Sequence, residues 1–386
     1  MEIWKMKKFN TTAVCIPSKH YMVDISERLA KIQKMIEAGD YFTINRARQY
    51  GKTTTLKLLQ QKLKQEYLVL GLSFEGISYA NFATEQSFVK AFCRLLKKNP
   101  ALYNSIPNEI KSQLDNYMQR ETHEAEMDEL FITLGEWCAV SDRPVVLVID
   151  EIDSATNNQV FLDFLSQLRD RYISRDSDGI PAFQSVILAG VTDIRYLKSE
   201  IRDEAESRVN SPWNIAADFN IDMSLSEAGI RGMLEEYEAD HHTGMDIADI
   251  AKNLRDYTNG YPFLVSRLCQ LMDEVVSETL DPKKAWTREG FEEAIKLILS
   301  ENNTLFQSLT SKLANYPDLR ASLHGLLMEG AKLAWSPDQD DIAQMMMYGF
   351  IRKDNNSIRI DNRIFETRLY NLFLSDEELK NNVFYK

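Results

Sequence analysis

The 386-residue sequence is poor in cysteine and histidine, with four of the first and five of the second. Cys15, Cys93, Cys138 and Cys269 lie far apart in apolar surroundings, with no CxxC pair and no histidine at metal-ligand spacing. A disulfide framework and a zinc ribbon are therefore not expected, and the four read as reduced core residues. The histidines form no HExxH pattern, and His241 and His242 in "EADHHTGMD" read as a solvated loop. No uninterrupted apolar run approaches the roughly 18 residues that a bilayer span requires. No apolar stretch follows the lysines of "MEIWKMKKFNTTAVC", so a signal peptide is not expected and the chain is expected in the cytoplasm, away from membranes. Positive charge is also scarce: 45 Lys and Arg face 58 Asp and Glu, a formal net charge of -13. Such a balance weakens non-specific attraction to nucleic acid, although a local basic patch is compatible with it. Internal repeats and low-complexity tracts are missing as well.

What the sequence does have is the composition of a globular protein, 44% hydrophobic and 27% charged, in a chain long enough for two or three domains. In "KHYMVDISERLAKIQKMIEAGD", Ile25, Leu29, Ile32 and Ile36 recur at helical spacing, with Ser26 as the expected cap and Gly39 as the stop. The strand "YFTIN", a loop, the helix "TTLKLLQQKLKQEY" and the strand "LVLGLSFEG" follow, which is the local grammar of a parallel α/β sheet. From Phe82 to about Ser141 the pattern is mostly helical, with "KKNPALYNSIPNEI" read as a loop. "RPVVLVIDEID" sets five aliphatic residues before two acids, and a strand so uniformly apolar must be buried on both faces. The helix "NQVFLDFLSQLRDRYI" and the strand "QSVILAG" continue the alternation. Near residue 216 the pattern changes to helices only, and from about Leu305 shorter helices lead to "GFIRKDNNSIRI", a hairpin signal around Asp354, Asn355 and Asn356. Helices followed by a small hairpin suggest a winged helix.

The chemistry-bearing segment is "YFTINRARQYGKTTTLKLLQQKL". Phosphate-binding loops run G-x-x-x-x-G-K-[ST] between a strand and a helix. Gly51, Lys52 and Thr53 fit that pattern, with Ile44 closing the strand and Thr54 opening the helix, whereas the first glycine is replaced by Arg46. Backbone amides and the helix N-terminus face the phosphates, Lys52 adds charge, and the Thr53 hydroxyl ligates magnesium. A non-glycine residue can take the first position if its dihedrals stay in an allowed region. Asp150 and Glu151 end a buried strand and so reach the carboxyl edge of the sheet, Asp150 to hold magnesium through water and Glu151 to polarise the attacking water. Each motif alone also fits a turn or a cap; their order and separation favour a nucleotide. Thr192 and Asp193, ending "VILAGVTD", reach the same edge, where a polar residue can position the lytic water or sense the outer phosphate. Arg169, Arg171, Arg175, Arg195, Arg202 and Arg208 are candidates to complete the charge stabilisation.

"YFTINRARQYGKTTTL", "VLVIDEID", "ILAGV", "SPWNIA" and "NGYPFLVSRLC" together resemble the bacterial AAA-like ATPase family, related to the archaeal ATPases and the signal-transduction ATPases with numerous domains. The resemblance covers nearly the whole chain. It implies an α/β fold: a P-loop NTPase parallel sheet of the additional-strand type, a helical lid and a C-terminal winged-helix domain. It also implies that Gly260, Tyr261 and Pro262 of the lid lie against the nucleotide base, where the residues alone indicate a helix stop and start.

The expected domains are an N-terminal segment and helix over 1–40, the P-loop core over 41–215, the lid over 216–304 and the winged helix over 305–386. The expected ligands are ATP and magnesium. The candidate nucleotide-binding residues are Arg46, Ala47, Arg48, Gln49, Tyr50, Gly51, Lys52, Thr53 and Thr54 with the three lid residues. Thr53 and Asp150 are the candidate metal ligands, and Lys52, Glu151 and Thr192 the candidate catalytic residues. The leading reading is a slowly hydrolysing switch ATPase with a protein partner or self-association. A nucleotide-gated scaffold, with Met345, Met346 and Met347 as a docking surface or as core, stands beside it. A DNA-binding regulator is less favoured, because "DQDDIAQMMMYG" has no Lys or Arg and the wing offers only Arg352, Lys353 and Arg359.

Overall fold

The structure, a computed structural model, describes residues 6–119, 126–192, 194, 212–336 and 339–381. The strands among the described residues are β1 (Lys8–Phe9), β2 (His20–Tyr21), β3 (Tyr41–Asn45), β4 (Leu68–Ser73), β5 (Val145–Asp150), β6 (Ser185–Gly190), β7 (Ile351–Asp354) and β8 (Ser357–Ile360). Packing divides the chain into two units, Glu27–Asn45 with Thr55–Ile221, and Met1–Ser26 with Arg46–Thr54 and Asp222–Lys386.

The first unit is built on a four-stranded, all-parallel sheet in the order β3-β6-β5-β4. Every residue of β5 and β6 is buried, as the aliphatic runs require of central parallel strands. Parallel register aligns the strand ends: Asn45 pairs with Gly190 and Ser73 with Asp150. β3, β6, β5 and β4 therefore all deliver their last residues to one carboxyl edge, with β6 between the strand that precedes the loop and the strand that carries the acids. The helices Glu85–Lys97, Met127–Val140 and Gln159–Asp178 supply a core in which Phe74, Phe88, Phe92 and Phe164 are fully buried.

The segment read as a loop before residue 110 is instead helical. Asn99 caps a helix over Pro100–Ser105, its side chain accepting from the Leu102 amide at 3.2 Å, and a second helix runs over Asn108–Gln119. A proline at the first helical position carries no amide to lose, so it starts this helix rather than breaking one. Ser26 is not a cap but the first residue of the Ser26–Glu37 helix, and Asp24 Oδ1 accepts its amide at 2.8 Å. Gly39, at φ +80°, follows the helix end as expected.

The second unit is mainly helical, with Glu227–His241, Ile247–Thr258, Pro262–Leu271 and Arg288–Ser300 followed by Thr304–Asn315, Pro317–Met328 and Asp340–Met347, then the β7–β8 hairpin and the Arg363–Asn381 helix. Ser226, Asp246 and Asn303 cap three of them through side-chain oxygens. The hairpin turns at Asn355, φ +54°, and pairs Ile351 with Ile360. Met345 is fully buried, Met346 is half-buried against the same core, and Met347 is half-buried. His241 ends a helix rather than lying in a loop, and its ring stacks on Tyr237 at 4.0 Å. β1 and β2, which no periodicity announced, pair in parallel and place Phe9 and Tyr21 against Tyr237.

Candidate functional site

The loop between β3 and the Lys52–Leu63 helix begins one residue later than expected and ends two residues earlier, since the strand includes Asn45 and the helix starts at Lys52. Lys52 is buried, and its Nζ donates to the carbonyls of Arg46 at 2.8 Å and Ala47 at 3.0 Å. The ammonium thus ties the beginning of the loop to its end. Arg46 contributes a backbone oxygen there and is not among the residues with left-handed backbone; Gln49 at φ +57° and Gly51 at φ +81° are. The glycine-free first position is therefore compatible with the turn, because the bends that need φ > 0 come later. Burial pushes the Arg46 guanidinium below its usual range, opposed by Tyr50 and Asp222.

Other parts of the same unit hold the loop. The buried Tyr261 hydroxyl donates to the Arg48 carbonyl, and its ring meets Tyr50 edge-on at 4.7 Å. Pro262 Cγ lies 3.9 Å from where a Cβ on Gly51 would stand, and a Cβ on Gly349 would come within 2.7 Å of Ala47 Cβ. Gln49 Nε2 donates to Thr304 Oγ1 at 3.0 Å, and Thr54 Oγ1 accepts from the Cys15 amide at 3.1 Å. Gly260 has φ +71° and no room for a side chain: a Cβ would sit 2.2 Å from the Leu225 carbonyl oxygen. Behind it, Asn259 donates to Asp361, whose burial raises its carboxyl to about 6 against hydrogen bonds from Asn362 and Asn259. Thr53, half-buried, occupies the second position of the helix that Lys52 opens.

At the carboxyl edge of the sheet, Asp150 is buried and its Oδ1 accepts the Glu151 amide at 2.9 Å. Glu151 takes a left-handed backbone, φ +56° and ψ +46°, a conformation that costs a non-glycine residue on the order of 1 kcal/mol or more. Thr192, two residues beyond β6, gives its amide to Asp153 at 2.8 Å. Asp153 is the residue that motif reading passed over; the long-range bonds from the amides of Val191 and Thr192, just after β6, mark it. The structure thus gathers Arg46 to Thr54 with Gly260, Tyr261 and Pro262 in one unit, and Asp150, Glu151 and Thr192 in the other. Among the arginines, Arg175 donates to the carbonyls of Gly39, Phe183 and Gln184, which precede β3 and β6, so it serves the sheet edge opposite Asp150. Arg169 and Arg171 lie on the Gln159–Asp178 helix, while Asp193, Arg195, Arg202 and Arg208 lie outside the described residues.

In the family comparison, the model of the AAA-like domain matches residues 9–375. The chain belongs to the AAA-like domain family. The fold of this AAA-like chain is shared with the Walker-type ATPase of Pyrococcus abyssi, at a TM-score of 0.63 and 12% identity, covering 94% of this chain and 99% of that one. The ORC2 protein of Aeropyrum pernix, solved as ADPNP-ADP complexes, gives a looser match, TM-score 0.45 and 10% identity, over 96% and 98% of the two chains. Among curated proteins, an uncharacterized WD repeat-containing protein of Synechocystis is 23% identical over 351 residues. That alignment takes in 86% of this AAA-like chain but only 27% of the relative's length. No described helix is long and apolar enough to cross a membrane.

Proposed function

We propose that the chain is a magnesium-dependent ATPase that turns over slowly and acts as a switch, with residues 41–215 as its P-loop core, 216–304 as a helical lid and 305–386 as a winged-helix domain. The observation that carries this reading is Lys52: a buried ammonium held by neutral backbone carbonyls at the head of a twelve-residue helix, on a loop free of a side chain at Gly51. An ammonium, a helix N-terminus and the loop amides together make a donor set that suits an anion such as a polyphosphate. Magnesium would be held by the Thr53 hydroxyl and, through water, by Asp150, and would supply charge neutralisation on the phosphate oxygens. Glu151 polarises the attacking water, Thr192 sets its position, and Gly260, Tyr261 and Pro262 face the base.

DNA binding is weakened as an alternative. The wing's cations are engaged within the chain: Arg359 pairs with Asp354 at 2.6 Å, Lys353 lies 5.3 Å from the Trp335 ring centroid, and Arg352 donates to Asn259 at 2.7 Å. Asp340 and Asp341 open the helix that would meet phosphate. A nucleotide-gated scaffold without turnover competes more closely; of the three methionines proposed as its docking surface, Met345 is buried, while Met346 and Met347 are half-buried. Titration of ATP with magnesium onto the wild type and Lys52→Ala tests the nucleotide site. Saturable binding lost in the variant supports it, and equal binding by the two contradicts it.

A further inference from the structure

Asp153 is joined to the sheet edge in a way that a helix cap does not require. Its Oδ1 accepts the amides of Val191 and Thr192 at 3.0 and 2.8 Å, and its Oδ2 accepts Val191 again at 2.8 Å. A carboxylate that spends both oxygens on two successive amides is a charge-assisted clamp, stronger and more directional than a single neutral bond. It bridges two segments that are far apart in sequence. One is the short 3-10 turn Ile152–Ser154, directly after Glu151, which Ser154 pins further by donating to the Phe74 carbonyl at 3.2 Å. The other is the loop leaving β6 with Thr192. Gly190 is what lets the two approach: a Cβ there would stand 2.8 Å from Ile152 Cγ1 and 3.1 Å from Asp153 Oδ2.

We propose that Asp153 is a positioning residue for hydrolysis, locking the loop that carries Thr192 to the turn that carries Glu151 so that the two keep one mutual geometry. This rests on the ATPase reading above. Asp153 acts through the Val191 and Thr192 amides that it holds. Its loss leaves the phosphate grip of Lys52 in place and lets the two groups that act on the lytic water drift apart.

The test compares wild type, Asp153→Ala, Asp153→Asn and Gly190→Ala, each as the full chain, by single-turnover hydrolysis of ATP with magnesium and by equilibrium ATP binding. The clamp role predicts a rate about 100-fold lower in Asp153→Ala, the cost of a misplacement near 1 Å, with the dissociation constant within about twofold of wild type. Asp153→Asn keeps one acceptor oxygen but turns an amide group toward the Val191 amide, so its rate falls in between. Gly190→Ala retains the carboxylate yet pushes the turn away, and it slows the same step. Wild-type rates in Asp153→Ala, or rate and affinity falling together in all three variants, would overturn the role of Asp153 alone. Wild-type protein that binds ATP without hydrolysing it would overturn the ATPase reading, and this role with it.

Discussion

Lys52 explains why the loop can begin with arginine. What the ammonium takes from Arg46 is a carbonyl oxygen, which every residue has, and the left-handed turns fall on Gln49 and Gly51 instead. Two other glycines show how differently the same residue type can matter. Gly260→Ala drives a Cβ into the Leu225 backbone, whereas Gly244, at φ +77°, has no neighbour within 4 Å. Thermal unfolding should therefore show Gly260→Ala destabilised by about 4 kcal/mol or more, or unfolded, and Gly244→Ala by only about 1 kcal/mol. Asp361 gives the chain a pH dependence with a definite sign. Burial lifts its folded carboxyl from 3.8 to about 6, so the folded state binds the proton more tightly than the unfolded chain. Its contribution to stability is complete only well below pH 3.8 and is lost as pH rises through 6. Denaturant unfolding of wild type against Asp361→Asn should show the wild type losing roughly 2 kcal/mol relative to the variant between pH 4 and pH 8. A difference that does not vary with pH would contradict that burial effect.

Elements whose signal is local were legible in the sequence. The aliphatic run before Asp150 forced a strand buried on both faces, and Asp354, Asn355 and Asn356 placed the hairpin turn where β7 meets β8. Elements decided by distant partners were not. β1 and β2 are two residues each and exist because Phe9 and Tyr21 find Tyr237; Pro100 reads as a breaker until Asn99 caps the helix it begins. Asp153 had no role to offer until the residues after β6 supplied its amides. The loop's support is likewise non-local: Tyr50, Tyr261, Phe365 and Phe306 meet edge-to-face in succession, at 4.7, 5.3 and 6.4 Å between ring centroids. These rings connect the loop to the helices Thr304–Asn315 and Arg363–Asn381. Tyr261→Phe keeps every ring contact and removes only the bond to the Arg48 carbonyl. It should cost about 1 kcal/mol in global stability and raise amide hydrogen exchange over residues 46–51, with exchange in β5 and β6 unchanged. Unaltered exchange in the loop would show that the hydroxyl bond does not hold it.

At the scale of the molecule, the described residues form two cores, one around the parallel sheet and one in the helical half, and the Arg46–Thr54 segment packs with the second while its flanking strand belongs to the first. A nucleotide gripped by that segment would stabilise the folded chain in proportion to the logarithm of its concentration, about 2.7 kcal/mol at 100 times the dissociation constant. Binding alone does not distinguish an ATPase from a scaffold, and that distinction falls on Glu151. The most direct measurement is hydrolysis of ATP under single-turnover conditions with magnesium, wild type beside Glu151→Gln, with ATP affinity determined for both. We predict that the wild type converts bound ATP to ADP, while Glu151→Gln binds ATP with similar affinity and hydrolyses it at least about 100-fold more slowly. Equal hydrolysis by the two proteins, or a wild type that binds ATP and never cleaves it, would contradict the account.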